Sequence, residues 1–250
     1  MSSAPRPQRT GPRVIEIIGV AGSGKSSLAT ALADAHEGWH IEGPLKMKNR
    51  RHLRHVAHGS PRFARIMTGN LSQRRRLTWK ESKYLLYVME WRRHLASNPG
   101  RKSGVIVLDQ GPVYVLTRFG TADVPIVGCE PGDPWWNDTV ASWADTLDAV
   151  VALDAPDPVL WERITSRTQS HEALDRSRSE WSTFADSYRR SFATVLNEMN
   201  GPGGPQILRY DTSTMSTVQI AVDVADRLAV GWGDGQEAPN DIDGAPGGSQ

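Results

Sequence analysis

The amino-acid sequence predicts an α/β protein, a three-layer α/β/α sandwich with a mainly parallel sheet. Two observations carry that prediction. Four short β-branched runs, residues 14–18, 105–108, 149–153 and 206–210, are separated by longer stretches with helical apolar spacing. A glycine-rich loop, residues 19–26, stands between the first run and good helix-forming sequence. Strands that alternate with helices become parallel neighbours with helices on both faces, and ligands then bind at the carboxyl ends of the strands.

The elements follow in order. The first strand runs directly into Gly19, Val20, Ala21, Gly22, Ser23, Gly24, Lys25 and Ser26, a match to G-x-x-x-x-G-K-[ST]. Ser27 and the Leu/Ala-rich residues after it continue as a helix. This strand, loop and helix order is what phosphate binding needs. Glycines let the backbone wrap phosphate oxygens, and successive N–H groups with the helix N-terminus supply partial positive charge. Lys25 is expected to reach the β and γ phosphates, and Ser26 to ligate Mg²⁺ through its hydroxyl. A short strand is expected at residues 39–42, ending at Glu42. Tyr84, Val88, Trp91 and Leu95 share a helical face, as do Phe184, Tyr188, Phe192, Val195 and Met199. Val218, Val222, Ala225 and Leu228 repeat the pattern near the end.

Composition bounds the rest. With 250 residues, 38% hydrophobic and 23% charged, the chain can bury one sizeable core, which excludes wholesale disorder and collagen-like repeats. Residues 1–13 and 231–250 lack periodic apolar side chains and are expected to be disordered tails around a working domain at 14–230. The 29 Lys+Arg against 28 Asp+Glu leave a formal charge of +1, so nucleic acid is not the expected partner. Cys129 stands alone, which rules out an intramolecular disulfide, and no apolar run approaches the roughly 18 residues that a membrane span needs. A cytoplasmic location is the resulting expectation. A homodimer is left open.

The loop indicates triphosphate binding, and other residues must indicate what is done with it. Asp109 ends the second of the four runs, beside the phosphate loop in a parallel sheet. A carboxylate there can hold Mg²⁺ through water, accept the proton of an attacking hydroxyl, or cap the next helix. After the third run, Arg163 and Arg167 stand four apart. One helix face carrying both would clamp phosphates during transfer, or else form a solvated face paired with Asp157 or Glu162.

These landmarks together resemble the thymidylate kinase-like branch of P-loop kinases, which includes nucleoside monophosphate and deoxynucleoside kinases. Four carry the likeness: the loop at 19–26, Leu108-Asp109, the segment 153–167 similar to L-x-x-x-P-[ED]-x-x-L-x-R-x-x-x-R, and Tyr210-Asp211-Thr212-Ser213. The resemblance implies an ATP-dependent kinase using Mg²⁺, with a lid at residues 163–179 that includes Arg167. It also implies that Asp211, Thr212 and Ser213 line the base pocket. Where the family has D-R-[YS] or E-R-[ST], this chain has Asp109-Gln110-Gly111, so a charged contact to the acceptor is missing at Gln110. Arg118 is the expected substitute. Glu42, Gln110 and Arg118 are therefore the candidates on the acceptor side. The acceptor is expected to be a nucleoside, a nucleotide or another small molecule such as a sugar or antibiotic scaffold. The competing reading is a P-loop ATPase or nucleotide-dependent switch acting on a partner.

Residues 43–80 contain no acid and carry Lys46, Lys48, Arg50, Arg51, Arg54, Arg62, Arg65, Arg74, Arg75, Arg76 and Lys80. A basic helical acceptor-side segment is one reading. Contact with anionic lipid or nucleic acid, or a plain solvated hairpin, are others. His52, His55 and His58 recur at spacing three, with no Cys or carboxylate beside them to complete a zinc set. Of the nine Trp, Trp91, Trp143, Trp161 and Trp181 fall in helical patterns and are expected in the core. Trp135 and Trp136 are expected to shape an acceptor pocket or to cover a helix end.

Overall fold

The computed structural model describes residues 12–42, 50–96, 104–121, 126–166 and 177–230. β1 (Arg13–Gly19) leads through the phosphate loop into α1 (Lys25–Ala35), followed by β2 (Trp39–Glu42), α2 (Arg50–Ser72) and α3 (Trp79–Ala96). β3 (Val105–Asp109), α4 (Pro112–Gly120), α5 (Pro134–Thr146), β4 (Ala149–Asp154) and α6 (Asp157–Thr165) come next. α7 (Arg178–Met199), β5 (Gln206–Asp211) and α8 (Thr217–Val230) complete the order. All five strands are parallel, in the order β2-β3-β1-β4-β5. β1 is central, and the chain passes to β2 and β3 on one side of it and to β4 and β5 on the other. The crevice that this reversal opens lies at its carboxyl end.

Alternation along the strands sorts the core into two layers. Ile15 and Ile17 of β1, with Val105, Val107, Val151 and Leu208, pack against Leu28 and Leu32 of α1 and Ile220 and Val224 of α8. Val14 and Ile18, with Ile106, Leu108 and Val150, face α3, α4, α5 and α7. Trp91, Trp136, Trp143 and Trp181 in that second layer are fully buried. Each is worth roughly 4–6 kcal/mol as an upper bound on burial energy. Trp161 is half-buried, with its ring 5.7 Å from that of Trp181.

Local chemistry sets the helix ends. Pro112, Pro134 and Pro158 stand in the first turns of α4, α5 and α6, where a missing N–H costs nothing. Ser177 and Glu180 form a reciprocal capping box at the start of α7. α8 differs from the sequence expectation. Val218 and Val222 are exposed, and Ile220, Ala221, Val224 and Leu228 make the buried seam. The helix is apolar around most of its girth, so periodicity allowed two faces, and packing against α1 selected the other one. Among the described residues no helix is long and apolar enough to cross a membrane.

Candidate active site

The phosphate loop is fixed by close packing at its first residue. Gly19 (φ 152°) lies against the Leu153 carbonyl and the Ser23 hydroxyl, so a β-carbon there has no room. The register pairs Gly19 with Leu153, which holds the loop on the end of β4. Gly24 caps α1 in a left-handed conformation, and the helix N-terminus at Lys25 opens toward the cleft. The Lys25 ammonium donates to the Gly19 and Val20 carbonyls at 2.8 and 2.9 Å. Those carbonyls hold the charge over the mouth of its own loop.

Asp109 lies where the parallel sheet places it. Ile17 pairs with Asp109 between β1 and β3, and the Ser26 hydroxyl donates to Asp109 Oδ2 at 3.1 Å. The other oxygen, Asp109 Oδ1, is buried and meets no hydrogen-bond partner among the described residues. A hydroxyl and a carboxylate this close, with one carboxylate oxygen unused, is an oxygen donor set that suits hydrated Mg²⁺.

Arg163, near the end of α6, turns toward the phosphate loop. Its guanidinium donates to Thr212 Oγ1 and to the Thr212 carbonyl, both at 2.8 Å, and reaches the Gly22 carbonyl at 3.5 Å. Thr212 is further held by the Asp154 carbonyl. One side chain therefore ties α6, the loop after β5 and the phosphate loop together. α6 ends at Thr165, and Arg167 lies outside the described residues.

Arg163 and Thr212 border a cleft of about 490 Å³ with Gly22, Ser23, Gly24 and Ser27 of the loop and helix start, and Met215 and Ile220 form its apolar wall. Val20 is buried and borders a second cavity, and Ala21 is half-buried. Of Asp211, Thr212 and Ser213 at the end of β5, Thr212 lines this cleft. Asp211 instead borders the second cavity, of about 650 Å³, between β4, β5 and α7. The Ser213 hydroxyl and amide both donate to the exposed Asp211, holding its carboxyl below the usual range.

The acceptor-side candidates separate. Glu42 closes β2, 3.9 Å from His94 Nε2. Gln110 is exposed and takes a left-handed conformation at φ 63°. Arg118, half-buried on α4, donates to the Tyr188 hydroxyl at 3.4 Å and lies 6.0 Å over that ring. Tyr84, Tyr114 and Tyr188 from three helices meet around it, with ring centroids 6.4 and 6.5 Å apart. Burial raises the pKa of the Tyr114 and Tyr188 phenols, so they stay neutral donors at physiological pH. Trp136 is fully buried, and its indole N–H donates to Glu198 on α7.

Sequence reasoning missed this tyrosine cluster, and it missed Glu16. Glu16 is fully buried in the middle of β1, and its carboxyl accepts the Val113 and Tyr114 amides at 2.8 and 2.9 Å. It thereby caps α4 from below and braces the turn that follows Asp109. Burial pushes its pKa up to about 8, against the amide bonds to Tyr114, Val113 and Gly111 that favour the anion, with the nearby Asp109 charge adding to the rise. The signal was a lone acid inside an apolar strand, at a position facing the next strand's helix.

No protein-family model and no curated protein sequence matches the chain. Solved structures do match. Thymidylate kinase from Candida albicans superposes with a TM-score of 0.51 at 17% identity, covering 88% of this chain and 92% of that one. The fold is that of the P-loop nucleoside and nucleotide kinases. The YorR protein of Bacillus subtilis, in complex with phosphorylated GDP, gives 0.51 at 14% identity over 89% and 99% of the two chains. Deoxyadenosine kinase from M. mycoides with bound dATP gives 0.48 at 15% identity over 86% and 98%. At these identities the likeness is one of fold.

Proposed function

We propose that the protein is an ATP-dependent, Mg²⁺-requiring kinase that transfers the γ-phosphoryl group to a nucleoside, a nucleotide or another small-molecule acceptor. The observation that carries this reading is the arrangement around one phosphate loop: Lys25 held on the loop carbonyls, Ser26 donating to Asp109, and Arg163 reaching the Gly22 carbonyl. The alternation of strands and helices and the kinase-like architecture support it.

In this reading the backbone at Gly19, Val20, Ala21, Gly22, Ser23, Gly24, Lys25, Ser26 and Ser27 cradles the phosphates, and Lys25 exchanges its carbonyl partners for phosphate oxygens. Ser26 and Asp109 hold Mg²⁺, which when bound withdraws charge from the phosphate oxygens. Arg163, already oriented by Thr212, presents its guanidinium beside Gly22, where phosphoryl charge develops. Arg167 is proposed as a lid residue, and Asp211, Thr212 and Ser213 as the border of the base pocket. On the acceptor side Arg118 faces a bound molecule together with the three tyrosines, and Glu42 and Gln110 are proposed as further acceptor contacts from the ends of their strands. The tyrosine hydroxyls and the edge-on and tilted rings suit a flat polar ring system better than a bare sugar.

The test is incubation with Mg·ATP and a fractionated metabolite extract, followed by mass spectrometry for gain of a phosphoryl group. A product formed by the wild type and not by Lys25→Ala is expected. Rapid ATP hydrolysis without any phosphorylated product would place the chain among ATPases or switches instead.

A further inference from the structure

The tip of the helical hairpin formed by α2 and α3 is rigid, basic and apolar at once. Asn70, buried at the end of α2, donates to the Ile66 and Val127 carbonyls at 2.9 and 3.2 Å and accepts the Val127 amide at 3.1 Å. Arg75 pairs with Glu81 at 2.7 Å. Thr78 and Glu81 then cap α3 reciprocally, Thr78 N–H donating to the carboxylate at 2.7 Å and Glu81 N–H to the Thr78 hydroxyl at 3.2 Å. Arg74 makes the turn in a left-handed conformation at φ 58°.

This framework sorts the apolar side chains of the tip. Ile66 and Leu77 pack on the core, whereas Leu71 is 51% and Trp79 is 70% exposed. Arg74, Arg76 and Lys80 are exposed beside them, and Arg62 and Arg65 are exposed on the preceding turns of α2. Residues 61–80 contain no acid, and the next in sequence, Glu81, is engaged by Arg75 and Thr78; Glu130 and Asp133 lie in the loop that Asn70 holds, on the Arg75 side. A fixed turn that holds its largest aromatic in water, with exposed arginines and a lysine on either side of it in the chain, is arranged for a partner that is apolar inside and anionic at its surface.

We propose that the α2–α3 tip docks the protein on an anionic lipid bilayer. Trp79 and Leu71 enter the headgroup layer, and Arg74 and Arg76 pair with lipid phosphates. Tryptophan favours that layer because its ring is apolar and its N–H polar, and cations near an anionic leaflet each strengthen binding by about fivefold. Lipid is favoured over nucleic acid because Leu71 offers no π-face for a base to stack on. The inference stands independently of the proposed kinase activity.

The experiment is co-sedimentation of the full chain with phosphatidylcholine vesicles, alone or with roughly 30 mol % phosphatidylglycerol. Binding is expected to the anionic vesicles and not to the neutral ones, and to weaken with added salt. Arg74→Ser with Arg76→Ser should weaken it about 25-fold. Leu71→Ser with Trp79→Ser should weaken it by about tenfold or more. The thermal midpoint of both pairs should stay unchanged, because these side chains lie outside the core. Brominated-chain phosphatidylglycerol should quench tryptophan emission in the wild type, and the quenching should be lost in Trp79→Phe. Absence of vesicle binding overturns the proposal. Binding that ignores the Leu71/Trp79 pair, or that a single-stranded oligonucleotide reproduces at equal strength, overturns it in favour of a general polyanion or nucleic-acid surface.

Discussion

Asp109 divides its two oxygens between a hydroxyl partner and an unused buried position, which is the observation behind the proposal that it holds Mg²⁺. Asp109→Asn keeps shape and one acceptor but loses the charge. We expect kcat to fall on the order of 10²-fold while ATP affinity changes less, measured under saturating Mg²⁺. A kcat within a few-fold of wild type would leave Asp109 as a cap alone. Glu16 makes a different kind of prediction. Its folded pKa of about 8 lies above its unfolded value of 4.5, so between those pH values the native state keeps a proton that the unfolded chain has released. Stability from this group is therefore complete below pH 4.5 and is lost as pH rises toward 8. Urea midpoints of the ligand-free protein should decline across that window, and Glu16→Gln should flatten the decline. A wild type with no such decline would mean that the three amides keep the carboxylate charged. The places of Lys25, Ser26 and Asp109 were legible in the sequence, because the loop motif follows a strand and Asp109 ends the β-branched run that pairs with that strand. Glu16 was not, since a single acid in a strand reveals its partner only when α4 is in place above it.

The strands were legible because β-branched runs of that length have few other uses, and even the edge strand β2 was marked by Trp39 to Glu42. The seam of α8 was not, because valines at 218 and 222 compete with Ile220 and Val224 for the same core, and only the position of α1 decides between them. Two predictions belong to this scale. Gly111 has no space for a side chain, since a β-carbon would stand 2.7 Å from Glu16 Cδ. Gly111→Ala must therefore displace either the Glu16 brace or the start of α4, at a cost of about 1–3 kcal/mol in urea unfolding, and it should impair turnover through Asp109 next door. An unchanged midpoint would mean that the turn yields freely. Arg163 joins three elements through a planar fork, two of its bonds ending on Thr212. Arg163→Ala should lower kcat more than it weakens ATP binding, and Arg163→Lys should recover little, because a point charge cannot hold Thr212 Oγ1 and carbonyl together. Equal kcat in both variants, read beside calorimetric ATP affinity, would return Arg163 to a structural tie between α6 and the loop after β5.

At the scale of the whole molecule, the two core layers are joined through the central strand, and the candidate site lies where β1, β3, β4 and β5 all end. Mg·ATP bound there would touch the phosphate loop on α1, the carboxyl end of β3, the end of α6 and the loop after β5, elements that belong to both layers. Binding should therefore stabilise the fold as one unit. A ligand that binds the native state and not the unfolded chain adds about 2.7 kcal/mol at a hundredfold excess over its Kd. For a domain of this size that corresponds to a rise of roughly 5–10 °C in Tm. The shift should require Mg²⁺ and should shrink sharply in Lys25→Ala, whose ammonium neutralises the phosphates. The same variant should keep its ligand-free Tm within a degree or two, because Lys25 is part-buried on the loop and its bonds to the Gly19 and Val20 carbonyls can be replaced by water. The decisive measurement is a thermal melt of wild type and variant, each with and without Mg·ATP. If both proteins shift equally, the nucleotide binds elsewhere than on the loop. If the variant's ligand-free Tm collapses, the lysine serves the fold, and its loss cannot be read as loss of phosphate binding.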